Sequence, residues 1–269
     1  MIILSIITVS YNSENTIHKC LESVCSQKNS HIEHIIIDGG STDNTLNIVR
    51  SFNVDCLISE KDFGIFHAMN KGFSLSKGQY LLFLNSDDYL LNGTLETLSN
   101  YLLSQDNLDN VIFFSDILSI RNNVYYYGNV KNHIDILDFY RLPLHHVGSI
   151  TSRSSFNDLH GFNEKYKLSS DHDFFLRAFL RGHKFIKLPF KFSCMSEGGR
   201  GTKGIIQSSK ESGDLIVMLL PGIKGNILKY IAITRGIVID LIYGNRSILS
   251  NILFKLYFKL VRNSTRFDK

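Results

Sequence analysis

Two adjacent carboxylates, Asp87 and Asp88, close the apolar run QYLLFLNSDDYL at residues 79–90. Like charges that close repel and raise each other's pKa unless a cation or hydrogen-bond donors compensate. The pair is either a solvated turn that caps the next helix or the seat of something positive. Three earlier runs end in a similar way. IILSIITVS leads into Thr8, Ser10 and Tyr11, EHIIIDG delivers Asp38, and DCLISE passes into KDFG with Asp62. In open parallel sheets ligands bind beyond the carboxyl ends of the strands. Four successive ends bearing hydroxyls or carboxylates make a binding edge, with carboxylate-plus-metal chemistry as its simplest use.

Missing motifs narrow the choice. No GxGxxG follows the first strand, so a dinucleotide fingerprint is lacking, and no GxxxxGK[ST] or GxSxG occurs. Further along, SDHDFFLR (170–177) sets Asp171 and Asp173 at the start of a helix, where an acid commonly serves as a cap. His146 in LPLHHVGSITSRSSF (142–156) reads, taken alone, as a buried structural histidine. The Gly-rich EGGRGTKG (197–204) carries Arg200 and Lys203, suited to closing over a diphosphate and equally to being a solvated loop.

The elements that must hold these groups alternate. Strands are expected at 2–10, 33–39, 55–60 and 79–86, and helices at 13–27, 41–52, 65–76 and 93–105. This βαβα order predicts an α/β fold with a mostly parallel sheet and helices on both faces, its strands nearly continuous apolar runs. Residues 110–130 read as two strands around the turn RNN, an antiparallel addition to that sheet. Residues 172–182 read as a helix, 183–196 as extended chain, and everything after the Gly-rich loop as helical to the end.

The chain has 269 residues with net charge +4, enough for one domain with an appendage. Residues 1–200 hold 18 Lys/Arg against 21 Asp/Glu, whereas 201–269 hold 11 against 4. A basic tail on an acidic body suggests an anionic partner. Its stretch SILSNILFKLYFKLVRN repeats apolar pairs every four residues, and Lys255, Lys259 and Arg262 flank the stripe. Such a helix would lie on a membrane surface, pack back on the domain or form a dimer contact. No nucleic-acid module is present. Cys20, Cys25, Cys56 and Cys194 form no CxxC and no zinc spacing, which predicts reduced thiols and a cytoplasmic location. No signal peptide is visible, and no run reaches the ~18 uncharged apolar residues of a membrane span.

Five stretches in order, SIITVSYNSENTIHKCLESV, IEHIIIDGGSTDNTL, GIFHAMNKGF, YLLFLNSDDYL and FNEKYKLSSDHDFFLRAFLRG, resemble the family 2 glycosyltransferases. They are most similar to bacterial members that build capsule, O-antigen (lipopolysaccharide) and exopolysaccharide. The resemblance spans roughly residues 1–190 and implies the GT-A fold, a Rossmann-like sheet binding a nucleotide-sugar donor. It implies that Asp88 holds a divalent cation, Mg²⁺ or Mn²⁺, with Asp87 on the ribose or the metal's water shell. Asp38 would hold the nucleobase, with Thr8, Ser10 and Tyr11 lining the pocket. Many members carry a second Asp where this chain has Gly39. Asp62 and Asn70 fall in the donor-contacting segment. Asp171 matches the base of inverting members, although Ser170 replaces the usual Glu, and Asp173 and His146 fall on the acceptor side.

The implied organisation is a catalytic domain at 1–200, with donor binding in 1–110 and the acceptor side in 111–200, followed by a basic helical region at 201–269. The implied acceptor is a surface-polysaccharide or lipid-linked glycan, with contact at the inner face of the cell membrane through the tail. The alternatives are a sugar nucleotidyltransferase, which would want a GGxGTR loop after the first strand, and a non-catalytic glycan-binding or scaffold protein.

Overall fold

The computed structural model describes residues 1–105, 108–121, 124–140, 142–196, 204–219, 222–244 and 266–267. Four expected strands, β1 (Leu4–Ser10), β2 (Ile32–Asp38), β3 (Cys56–Ser59) and β4 (Tyr80–Asn85), pair in parallel in the order β4-β1-β2-β3. Between them come α1 (Ile17–Cys25), α2 (Thr45–Arg50) and α3 (Ile65–Leu75). The apolar runs are explained by cover on both faces. Leu4 and Ile6 of β1 join one buried cluster with Cys20 and Val24 of α1, whereas Ile7 and Val9 join another with Met69 of α3. Gly72 lets α3 sit close on the sheet, since a Cβ there would lie 2.3 Å from Ile7.

After β5 (Tyr89–Leu90) and α4 (Thr94–Leu103) the chain departs from expectation. Residues 110–130 hold three strands, β6 (Val111–Phe114), β7 (Ile117–Arg121) and β8 (Val124–Gly128). Ser115 and Asp116 separate β6 from β7, and Asp116 is tied to Lys187 at 2.9 Å and to the Val130 N–H at 2.8 Å. Only β6 enters the large sheet; the β7–β8 hairpin belongs to a second sheet. The antiparallel member of the large sheet is β9 (Ser149–Ser152), wedged between β4 and β6.

Beyond α5 (Arg153–Asp158) and α6 (Ser170–Leu180), the extended stretch 183–196 splits at Leu188–Phe192. Its first half, β10 (Lys184–Lys187), completes the seven-stranded sheet beside β6. Its second half, β11 (Ser193–Ser196), pairs with β5 and β7 in the second sheet.

Two helices follow, α7 (Ile205–Leu219) and α8 (Ile223–Gly244). Leu215 of α7 is buried in the cluster that contains Phe174 and Phe175 of α6. The C-terminal region is not helical throughout, because β12 (Arg266–Phe267) pairs antiparallel with β8. The amphipathic stripe at 247–263 lies outside the described residues. Among the described residues no helix is long and apolar enough to cross a membrane. The four cysteines are free thiols.

Candidate active site at the carboxyl edge of the sheet

Strand ends bring two groups of polar residues to one rim. The first is centred on Asp38, where β2 ends. Its carboxylate is fully buried and accepts from Ser10 Oγ at 3.0 Å, Ser41 Oγ at 2.5 Å and Ser59 Oγ at 2.8 Å. The backbone N–H groups of Gly40 and Ser41 add bonds at 3.1 and 2.8 Å. Five donors from β1, β3 and the following loop saturate a group with about four lone-pair sites. Asp38 thus welds three segments of the rim together.

Asp62 lies against this weld. Its Oδ1 accepts the Gly64 N–H at 2.9 Å, and its Oδ2 would stand 2.6 Å from a Cβ at position 39. The Tyr11 ring edge would be 3.4 Å from the same point. Gly39 therefore leaves the space that Asp62 fills, a relation the sequence shows only as a missing acid. Thr8 is placed differently. It is fully buried one layer below Ser10, with Oγ1 2.9 Å from Nε2 of His34.

The second group forms where β4 gives way to the other sheet. Asn85 ends β4, Asp87 and Asp88 turn, and β5 begins at Tyr89. Asp88 is almost wholly buried, accepting the Ser196 N–H at 2.9 Å and an Asn85 N–H at 3.2 Å. Burial, then the charge of Asp87, push its carboxyl up to about 7, against the opposing pull of Ser196, His146 and Asn85. Burial also raises the half-buried Asp87.

His146 reaches this turn because β9 runs antiparallel. The residues that precede β9 consequently lie at the carboxyl ends of β4 and β6, on the ligand rim. Its Nε2 is 3.0 Å from Asn85 Nδ2, and its Nδ1 is 3.3 Å from Oδ2 of Asp171. The tautomer that serves both neighbours carries its proton on Nδ1, donates to Asp171 and accepts from Asn85. Burial acts to lower the imidazole, but its bond to Asp171 and the charges of Asp171, Asp88 and Asp87 raise it overall. Burial acts to raise Asp171, and the His146 bond and charge, with His145 and His172, hold it below the usual carboxylate range.

A chain Asp88–Asn85–His146–Asp171 results, its two carboxylate ends buried and its middle half-buried, joining residues 83 positions apart in sequence. Asn85 was not singled out in the sequence, although its place directly before SDD was the available signal.

Two other candidates are committed elsewhere. Asn70 spends its amide on the loop after α5, with its carbonyl accepting the Phe162 N–H and its N–H groups reaching Phe162 O and Glu164, all at 2.9 Å. Asp173 holds Arg177 at 2.7 Å, and that guanidinium also ties the Leu159 and Gly161 carbonyls. Arg200 and Lys203 lie outside the described residues.

Asp87 and Asp88 suit a divalent cation in donor type, being hard carboxylates. Among the described residues no cluster of three or more His, Cys, Asp or Glu side chains is arranged to hold a metal. An ion bound through one or two carboxylates and completed by substrate phosphates needs no such cluster.

Comparison with known proteins decides the family. The family model described as Glycosyl transferase family 2 matches residues 5–181. The chain belongs to that family. This glycosyltransferase is 30% identical over 181 residues to the PGL/p-HBAD biosynthesis glycosyltransferase of Mycobacterium bovis (strain BCG / Pasteur 1173P2), covering 65% of this chain and 69% of that one. It is also 30% identical over 186 residues to the hyaluronan synthase of Pasteurella multocida, covering 65% of this chain and 18% of the synthase.

Among solved structures, TarS from S. aureus in complex with UDP-GlcNAc superposes with TM-score 0.62 at 19% identity, covering 97% of this chain and 74% of that chain. A longer TarS chain is spanned to 40%. The mannosyltransferase PcManGT from Pyrobaculum calidifontis, with GDP-Man and Mn²⁺, superposes with TM-score 0.63 at 14% identity, covering 96% and 79%. These likenesses establish the fold of the glycosyltransferase as GT-A.

Proposed function

We infer that this glycosyltransferase moves a sugar from a nucleotide-sugar donor to a hydroxyl of a surface-polysaccharide or lipid-linked glycan, with inversion at the anomeric carbon. The observation that carries this reading is the hydrogen-bonded chain from Asp88 to Asp171. It sets a metal-type carboxylate and an ionised, histidine-oriented carboxylate at one rim. Ser10, Tyr11 and Asp62 would form the nucleotide side of that rim, which Asp38 ties together from within and Thr8 braces from below. Residues 1–200 would make the catalytic body, and 201–269 a basic extension able to meet an anionic surface.

Asp171 would accept the proton of the attacking hydroxyl. A general base must be ionised and within hydrogen-bond reach of that proton, and the lowered carboxyl of Asp171 meets the first condition near neutral pH. The Nδ1–H of His146 fixes Oδ2 and the His172 N–H lies on Oδ1 at 2.9 Å, so each oxygen keeps a further lone pair for the acceptor. Asp88, with Asp87, would hold Mg²⁺ or Mn²⁺, which when bound supplies charge neutralisation to the departing diphosphate. The complexes of TarS with UDP-GlcNAc and of PcManGT with GDP-Man and Mn²⁺ support a nucleotide-sugar donor and a divalent ion.

Titration of UDP and GDP with and without Mn²⁺ tests the reading. Metal-dependent binding that disappears in Asp88→Ala is expected. Binding indifferent to both metal and mutation would favour a non-catalytic protein of the same fold.

A further inference from the structure

One face of α7 grips the chain on both sides of Asp171. Glu211 accepts three successive backbone N–H groups, that of Lys167 at 3.2 Å on Oε1 and those of Leu168 and Ser169 at 3.0 Å on Oε2. Ser169 Oγ lies 3.0 Å from both the carbonyl and the hydroxyl of Ser208. Ser212 Oγ lies 2.9 Å from Nδ1 of His172, the residue directly after Asp171, and donates to Ser169 Oγ at 3.3 Å. Positions 208, 211, 212 and 215 share one helical face, and Leu215 anchors it in the core.

The first turn of any α-helix leaves backbone N–H groups without intrahelical partners. At α6 the preceding residue, Ser169, makes no side-chain capping bond. The segment leading into α6, residues 167–169, is held by a carboxylate from another helix, through charge-assisted bonds that are stronger than neutral ones. That helix lies beyond the residues 5–181 matched by the family model.

We propose that Glu211 is a positioning residue for Asp171, with Ser208 and Ser212 completing the clamp, so that the extension after residue 200 takes part in the reaction geometry. This rests on the reading of Asp171 as general base. Residues 167–169 set where α6 begins and therefore where Asp171 stands relative to His146. A misplacement of ~1 Å at a reacting group costs on the order of 100-fold in rate. An ordinary packing contact would lower folding stability and nucleotide binding along with the rate; a positioning residue lowers kcat alone.

The test compares wild type, Glu211→Ala, Glu211→Gln, Ser212→Ala and Asp171→Asn. Amide hydrogen exchange is followed at residues 167–173, UDP and GDP affinities are measured, and hydrolysis is followed for whichever of UDP-GlcNAc, UDP-glucose and GDP-mannose is turned over fastest. In Glu211→Ala, exchange at 167–169 and kcat should each change by about 10-fold or more, in opposite directions, with KM and nucleotide affinity within about twofold. Glu211→Gln should fall between, because its carbonyl still accepts while its amide does not. If Glu211→Ala does not fold, Glu211→Gln and Ser212→Ala carry the same readouts.

Unchanged amide protection overturns the proposal, and does so alone if none of the three donors is hydrolysed. So does wild-type kcat with loosened amides, or a kcat loss matched by a loss of nucleotide affinity. Full turnover in Asp171→Asn would remove the base assignment. Collapse in that variant beside wild-type turnover in Glu211→Ala would remove the clamp only.

Discussion

His146 Nδ1 stands 3.3 Å from Asp171 Oδ2, and the same imidazole meets Asn85 through its other nitrogen at 3.0 Å. One ring therefore touches Asp171 at the start of α6 and the acidic turn after β4. Removing it should change how Asp171 titrates without emptying the nucleotide pocket.

In His146→Gln the carboxyl of Asp171 loses its main lowering partner, so burial is left to push it upward. A base works ionised, so activity is lost as pH falls through its pKa. The acid limb of the pH–rate profile should move to higher pH in the variant. Turnover should drop about 10- to 100-fold with nucleotide affinity retained, and Asp171→Asn should lose about 10²- to 10⁴-fold. A pH–rate profile of donor hydrolysis checks both, and an unmoved acid limb would separate His146 from the base.

Asp88 yields a prediction of opposite sign. Its folded-state value of about 7 exceeds the ordinary 3.8, so the fold binds that proton more tightly than the unfolded chain does. Its contribution to metal-free stability is present at low pH and lost as pH rises from about 4 to about 7. Asp88→Asn should stabilise the metal-free protein at pH 8, by at most about 4 kcal/mol, while abolishing the effect of Mn²⁺ on nucleotide binding. Thermal melts at pH 5 and pH 8, with and without Mn²⁺, distinguish this from a simple loss of fold.

Gly39→Ala would drive a methyl group to 2.6 Å from Asp62 Oδ2. Asp62 would have to swing off the rim beside Tyr11. Nucleotide affinity should fall about 10-fold, or about 1.4 kcal/mol, with the melting temperature little changed. Wild-type UDP and GDP affinities in this variant would exclude Asp62 from the nucleotide wall.

His34 should set part of the acid sensitivity of the fold. Burial, with Lys28 nearby, lowers its imidazole to about 3 from the ordinary 6.5, against the pull of Asp55. The unfolded chain takes up a proton that the folded chain refuses, so stability declines as pH falls from about 6.5 toward about 3. Between pH 6.5 and pH 5 this one group should cost about 2 kcal/mol. His34→Gln, which keeps a donor for Thr8, should flatten that limb in urea titrations. An equally steep limb would assign it to other groups.

Much of the first half of the chain was legible because its signals are local. The strands at 4–38 and 80–85 announce themselves as uninterrupted apolar runs, and polar residues at their ends mark the rim. The second half was less legible for a physical reason. Apolar runs such as VIFFSDILSI look alike whether they continue one sheet or cross to another, and only the Asp116–Lys187 contact and the Gly148 carbonyl on Ser115 show the crossing. The antiparallel β9 gave no alternation to read, since all four of its residues are buried.

Residue types and order along the chain already determined which groups could serve: a saturable acid at 38, an acidic pair at 87 and 88, an acid opening a helix at 171. Only the tertiary structure decided how they are used. Asp38 is filled by five donors, Asp62 occupies the room left at Gly39, and Asn70 and Asp173 are spent on local ties. The linkage of Asp88 to Asp171 arises because an inserted strand runs backwards and lands His146 between them. Hydrogen bonds act over about 3 Å, a scale on which distance along the chain carries no information until the sheet brings its ends together.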